Sequence, residues 1–318
     1  MSGVRERIVG REPFGGHDGA SGARLERARL DDGASVVLKS FDPSQDLTMR
    51  VSGRTVPLDV VLWQTGVLDR LPPGLGHAVL DAWQEDGVWV VAMRDLGGQL
   101  LSYDSVLSRE ECRGLLAPAV AMHDAFAGED IDGLWSLEDR LSVFAPRVIG
   151  RFSDEASLAA WCLAGWERFA DLAPADVVDL VAAVHVEPGR LARPLLRLGG
   201  RTLLHGDYWT PNLAPTPGGV VVIDWALATA GPPVVEFASF LVGCAGQVLA
   251  RREEILDDLR ELWGARSDET VLRLGLAVGV VEMGWNLAWH AARDPDAREP
   301  FDWWVAAARR AAETGLIT

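Results

Sequence analysis

Lysine is nearly missing from this chain: of 30 basic residues only Lys39 is a lysine, and the rest are arginines. Cysteine is scarce as well. Cys112, Cys162 and Cys244 lie far apart, with neither pairing nor metal-ligand spacing, so a disulfide framework is excluded and reduced thiols in a cytoplasmic setting are expected. Positive charge is in deficit. Against 46 acidic residues the 30 basic ones leave a net −16, which argues against nucleic acid or an anionic membrane surface as partner. No run approaches a membrane span; Val234 to Ala250 comes nearest, and Glu236 and Gln247 interrupt it. The charged start, Met1 to Arg11, lacks the apolar core of an export signal, so none is expected. Internal repeats and low-complexity linkers are missing too. What remains, 318 residues with 48% apolar and 24% charged content, is a globular chain long enough for two lobes with sizeable cores.

The densest chemistry lies in residues 203–224. Leu203-Leu204 leads into His205-Gly206-Asp207-Tyr208-Trp209-Thr210-Pro211-Asn212, then a Pro/Gly turn, then the strand-like Val220-Val221-Val222-Ile223 ending at Asp224. Two carboxylates and one amide are thereby gathered on a hairpin-like scaffold. Oxygen donors of that kind suit Mg²⁺, which keeps waters and shares its shell with substrate phosphates. In phosphoryl transfer one Asp meets the acceptor hydroxyl, while an Asn and a second Asp hold the metal. A polar turn between two core strands would explain any one of these residues, but not their joint spacing.

The stretch resembles the aminoglycoside phosphotransferase/choline kinase family of small-molecule kinases with a protein-kinase-like fold. The family's His-Gly-Asp-x4-Asn falls on His205, Gly206, Asp207 and Asn212, and its Ile-Asp-Trp on Ile223, Asp224 and Trp225. The resemblance implies an α+β, two-lobe fold, with a β-rich nucleotide-binding N-lobe over residues 1–94 and a mostly helical C-lobe over 95–318. It implies ATP and Mg²⁺, with Asp207 orienting the acceptor hydroxyl and Asn212 and Asp224 as metal ligands. His205 is read as a support for the loop and Glu236, in the stretch after Gly231-Pro232-Pro233, as its brace.

The N-terminal third carries the nucleotide candidates. Residues 14–23 are rich in glycine, which lets backbone amides come close to phosphate oxygens. The spacing is not that of a protein-kinase loop, and by resemblance Ser21 and Gly22 stand nearest the phosphates. Ala34 to Lys39 reads as a strand that delivers the single lysine where kinases place the one that pairs with the α- and β-phosphates. A helix is expected over about residues 57–71. Its Asp59 fits two readings: the acidic partner of Lys39, where the family usually has Glu, or a first-turn residue favoured by the helix dipole. Strands at 77–84 and 88–93 are joined by Glu85-Asp86-Gly87, a hairpin signal. After them the resemblance places the adenine contacts near Met93 and Asp95.

Farther on, Ser108-Arg-Glu-Glu opens as a capping box for a helix to about Phe126, carrying a packed His123, and helices are expected over 134–149, 154–172 and 174–186. Near the end Glu282, Trp285 and Trp289 share a helical face, with Asp302, Trp303 and Trp304 on the next helix. Acid beside tryptophan holds an ammonium through charge and cation–π attraction, and the resemblance places the acceptor site here. Helix-to-helix core packing is the competing reading of the tryptophans. The whole points to an ATP-dependent phosphotransferase acting on a small-molecule hydroxyl, cationic in one version. A nucleotide-binding scaffold without turnover is the alternative, and it would not need Lys39, Asp207, Asn212 and Asp224 together. A metallophosphoesterase would need further His/Asp clusters, which the remaining histidines do not supply. Acceptor identity and oligomeric state are not written in the sequence.

Overall fold

A computed structural model of the chain describes residues 3–14, 22–153, 158–264 and 268–318. The first part of the chain folds as β1 (Ile8–Pro13), β2 (Arg24–Leu30), β3 (Ser35–Phe41), α1 (Leu47–Ser52), α2 (Leu58–Gln64), β4 (Leu75–His77), β5 (Val79–Glu85) and β6 (Val88–Arg94). There follow α3 (Arg109–Ala125), β7 (Trp135–Ser136), α4 (Leu137–Ser142), α5 (Pro146–Ile149), α6 (Leu158–Leu172), α7 (Ala175–Val186) and α8 (Gly189–Gly199). The chain closes with β8 (Thr202–Leu204), β9 (Leu213–Thr216), β10 (Gly219–Val222), β11 (Thr229–Gly231), α9 (Pro233–Cys244), α10 (Arg252–Trp263), α11 (Glu269–Ala291) and α12 (Arg298–Ala312). The class is mixed α+β, with sheet in the N-terminal region and helices in the C-terminal region.

Packing divides the chain into two compact units: Met1–Tyr103 with Thr210–Leu227, and Asp104–Trp209 with Ala228–Thr318. The sequence-based division at residue 94 therefore differs in two respects. The first unit runs on to Tyr103, and it also claims the 210–227 stretch. Strand pairing is the reason: β10 adds in parallel to β4 and antiparallel to β9, so the second half of the 203–224 stretch belongs to a sheet whose other edge lies in the N-terminal region.

In the first unit an antiparallel sheet runs in the order β1-β2-β3-β6-β5. Alternate residues Ala28, Leu30, Val36, Leu38, Val90 and Ala92, with Trp83, close one face into a core. Asp86 (φ 50°) and Gly87 (φ 84°) both take left-handed backbone, as a two-residue hairpin loop requires, and Glu85 pairs with Val88. α2 is shorter than the expected 57–71. Gly66 (φ 71°) ends it, with the Val67 N–H returning to the Leu62 carbonyl at 3.0 Å.

The second unit is helical, with a small β7-β11-β8 sheet. The Ser108–Glu111 capping box opens α3 as expected. The helix expected over 134–149 is two helices, because Ala145 precedes Pro146 and takes extended backbone (φ −63°, ψ 139°). α8 went unseen in the sequence; Pro194 stands inside it. α11 corrects the hydropathy reading. It, not 234–250, is long and apolar enough to cross a membrane, and 83% of its most apolar stretch is buried within the fold. Its apolar surface is taken up by α6, α9 and α12, which makes it the core helix of this unit.

Candidate active site

In the first unit β3 carries Lys39, 6% exposed, to within 2.7 Å of Asp224 Oδ2. Burial by itself would depress the ammonium. Asp224, Asp59 and Asp46 outweigh it and raise the pKa above the ordinary lysine value. Asp59, in the first turn of α2, is buried, and its Oδ1 accepts a hydrogen bond from the Trp225 N–H at 3.1 Å. Burial pushes its carboxyl up to about 6 against the pull of Lys39, and Asp224 adds to the rise. The ion-pair partner of Lys39 is thus Asp224, with Asp59 behind as a second negative charge. Asp46 was not picked out in the sequence; it caps α1 by accepting from the Met49 N–H, a short polar-residue signal that many helix starts share.

The β9–β10 hairpin sets Leu213 opposite Val222, and the Ile223 N–H donates to the Asn212 carbonyl at 3.0 Å. Asn212 and Asp224 therefore lie at the same end of one hairpin. Asp224 has φ 65°, a left-handed conformation rare for a non-glycine residue and common where a side chain is aimed for function. Among the described residues no group of three or more His, Cys, Asp or Glu could hold a metal by itself. A single carboxylate and a single amide fit a hard cation that takes the remainder of its shell from water and phosphate, which is Mg²⁺ chemistry.

The other nucleotide candidates spread along the same unit. Gly22 has φ 92°, and a side chain there would crowd the Gln45 carbonyl; Ser21 lies outside the described residues. Met93 is buried on β6 between Val37 and Val79. Burial works against the charge of Asp95, but Ser35, the Gly97 N–H and Arg27 hold its carboxyl below the usual range.

Asp207 belongs to the second unit, half-buried in the loop after β8. The loop is gripped from several sides. Glu236 on α9, fully buried, accepts from the His205 N–H at 3.1 Å and the Gly206 N–H at 2.8 Å, and lies 3.0 Å from His123 Nε2. Burial opposes its charge, but His123, His205 and these amides keep its carboxyl below the ordinary value. The Asp207 N–H donates to His205 Nδ1 at 3.2 Å, and the buried Tyr208 hydroxyl donates to the Leu115 carbonyl at 2.7 Å. Gly206 has φ 82°, a bend that a side chain would strain.

One contributor was invisible in the sequence. Arg140 on α4, 3% exposed, donates through Nη2 to the Gly206 carbonyl at 2.8 Å and lies 3.0 Å from Glu282 Oε2. Burial pushes the Glu282 carboxyl up to about 7; Arg140 draws it down and the charge of Asp207 raises it. Glu282 Oε1 accepts no hydrogen bond from the described residues. Of the other acceptor candidates, Trp285 is buried one turn along α11, against Phe144 (6.2 Å) and Trp161 (4.9 Å). Trp289 lies 6.1 Å from Trp161, with the Arg293 guanidinium stacked on its ring at 3.2 Å. Asp302 is exposed on α12 and accepts from Arg298 Nε at 3.0 Å. α11 therefore gathers Glu282, Trp285 and Trp289, while Asp302 is engaged on its own helix.

Solved structures share this architecture. A choline kinase, LicA of Streptococcus pneumoniae, aligns over 95% of this chain and 94% of its own at 12% identity, with a TM-score of 0.54. The GDP complex of an aminoglycoside 2′-phosphotransferase-IIIa variant aligns over 98% and 94% at 16% identity and 0.55. An aminoglycoside phosphotransferase of Streptomyces rimosus, in complex with ADP and streptomycin, aligns over 83% and 94% at 14% identity and 0.51. The fold is kinase-like. The profile of the phosphotransferase enzyme family, APH, matches residues 77–269, more than half of the chain, and the chain belongs to that family. No curated protein matches it.

Proposed function

We propose that the protein transfers the γ-phosphoryl group of ATP to a hydroxyl of a small molecule. The observation that carries this reading is the buried Lys39–Asp224 pair, with Asn212 at the same hairpin end, in a member of a phosphotransferase family. Lys39 steadies the α- and β-phosphates, and the Gly22 loop with Ser21 covers them. Adenine is held by the backbone near Met93 and Asp95. Asn212 and Asp224 would hold Mg²⁺, which when bound neutralises charge on the phosphates. Asp207 orients the acceptor hydroxyl. As the bond between the γ-phosphorus and the β-bridging oxygen breaks, a new bond forms to the acceptor oxygen and Asp207 takes the hydroxyl proton. The acceptor lies on the helical unit, along the α11 face that carries Trp285 and Trp289. A cytoplasmic setting, with ATP and reduced thiols at hand, fits the three buried cysteines, none of them in a disulfide among the described residues.

Catalysis of this kind is mostly positioning and electrostatics, so losing Asp207 removes turnover without removing the fold. ADP release from Mg·ATP is followed across a panel of hydroxyl-bearing small molecules, with wild type and Asp207→Ala side by side. One chemical class is expected to stimulate the wild type, and the variant is expected to fall by about 10²-fold or more. Nucleotide binding without any Asp207-dependent release would turn the reading toward a scaffold.

A further inference from the structure

The Asp207 loop is held by two buried side-chain pairs, of which His123–Glu236 grips its amides from α3 and α9. Arg140–Glu282 approaches from α4 and α11 and takes the next peptide along, at the Gly206 carbonyl. That carbonyl belongs to the peptide whose nitrogen is Asp207's own, so fixing it fixes the direction in which Asp207 leaves the backbone. Both partners are at most 3% exposed. Two charged groups taken out of water are poorly explained by stability alone, since their desolvation is costly. Arg140 Nη1 and Glu282 Oε1 moreover find no hydrogen-bond partner among the described residues, so the pair is tied to the loop and not to a wider network.

We propose that Arg140 and Glu282 form a positioning pair for Asp207, Arg140 by locking the Gly206–Asp207 peptide and Glu282 by balancing charge behind it. The proposal rests on the phosphotransfer reading for its consequence in turnover, but its structural half stands apart from that reading. The charged groups bearing on Glu282 are Arg140 from α4 and Asp207 from the loop. His185 of α7 touches the same helix only through the Val281 carbonyl, and Glu236 is committed to His123 and the loop amides. A carboxyl that titrates close to neutrality beside Asp207 makes the field at Asp207 change over that range. Glu282 thus acts through Asp207 and touches no reacting atom.

The test uses the full chain with Mg·ATP alone, read as ADP release with water as acceptor, beside amide exchange of the 204–209 segment. Arg140→Met is expected to lower kcat at least tenfold while nucleotide Kd stays within twofold, and to speed Gly206 and Asp207 amide exchange at least tenfold. Arg140→Lys should regain part of both, since it keeps the charge and loses the fork. The wild type is expected to show a step in kcat between pH 6 and 8, and Glu282→Gln, which keeps the shape, is expected to lose it. Unchanged exchange and kcat in Arg140→Met would overturn the proposal, as would a step that survives in Glu282→Gln. Parallel loss of kcat, nucleotide affinity and melting temperature in both conservative variants would reduce the pair to scaffolding. If wild type and Asp207→Ala release ADP equally, the phosphotransfer reading fails, and the exchange result still decides the positioning claim.

Discussion

At Lys39 the expense of burying a cation is offset by three carboxylates, of which only Asp224 makes a direct ion pair. Asp59 bears the consequence. Its carboxyl titrates at about 6 in the fold against 3.8 when exposed, so the folded state holds the proton more tightly than the unfolded one. Below the lower value both states are protonated and the residue contributes nothing. As pH rises past 3.8 the unfolded state ionises first, and above about 6 the fold carries the full penalty, on the order of 2–3 kcal/mol for about two pKa units. Asp59→Asn should therefore be more stable than wild type at pH 8 and nearly equal to it at pH 4, as read by urea unfolding. An equal difference at both pH values would show that Asp59 does not titrate in this range.

Among the elements α11 does most of the packing in its unit, and small residues let its neighbours approach. A methyl group at Gly279 would overlap the Trp304 ring of α12, and one at Gly165 of α6 would overlap the Trp285 carbonyl. Overpacking costs about 1–3 kcal/mol, while glycine to alanine inside a helix returns about 1 kcal/mol. A ring can rotate or slide; a helical carbonyl moves only with its helix. Gly165→Ala is therefore expected to lower the melting temperature more than Gly279→Ala, and the reverse order would show that α6 shifts more easily than Trp304. α11 also shows why hydropathy misled. A helix apolar around most of its circumference is a membrane span or a core helix, and only its neighbours tell which.

For the whole molecule, the notable fact is that the first unit is discontinuous. β4 pairs with β10, and Lys39 finds its counter-ion in Asp224, both supplied by residues 210–227. A fragment ending at Tyr103 would expose the β4 edge and leave a buried ammonium with fewer partners. It is expected to unfold without a cooperative transition, whereas the full chain shows one by circular dichroism. A cooperative, urea-sensitive transition in the fragment would mean that the five-stranded sheet suffices.

What the chain spelled out unaided was whatever is local. His205, Asp207, Asn212 and Asp224 stand within twenty residues, the Asp86-Gly87 turn and the Ser108 capping box are encoded in neighbouring positions, and the single lysine lies on its own strand, which runs two residues beyond it. Fold class and family were legible through the family resemblance those residues carry, which survives in sequence because short-range backbone geometry sets which side chains share a loop. Partnership was decided by tertiary structure. Arg140 looks like any arginine of an amphipathic turn until α4 places it against a carbonyl 66 residues on, and Asp59 meets Trp225 across 166 residues. Such contacts arise when the apolar faces of distant elements are buried together; burial is also what pushes up the Asp59 and Glu282 carboxyls, while the carboxylates gathered around Lys39 raise its ammonium against burial. No local pattern carries that information.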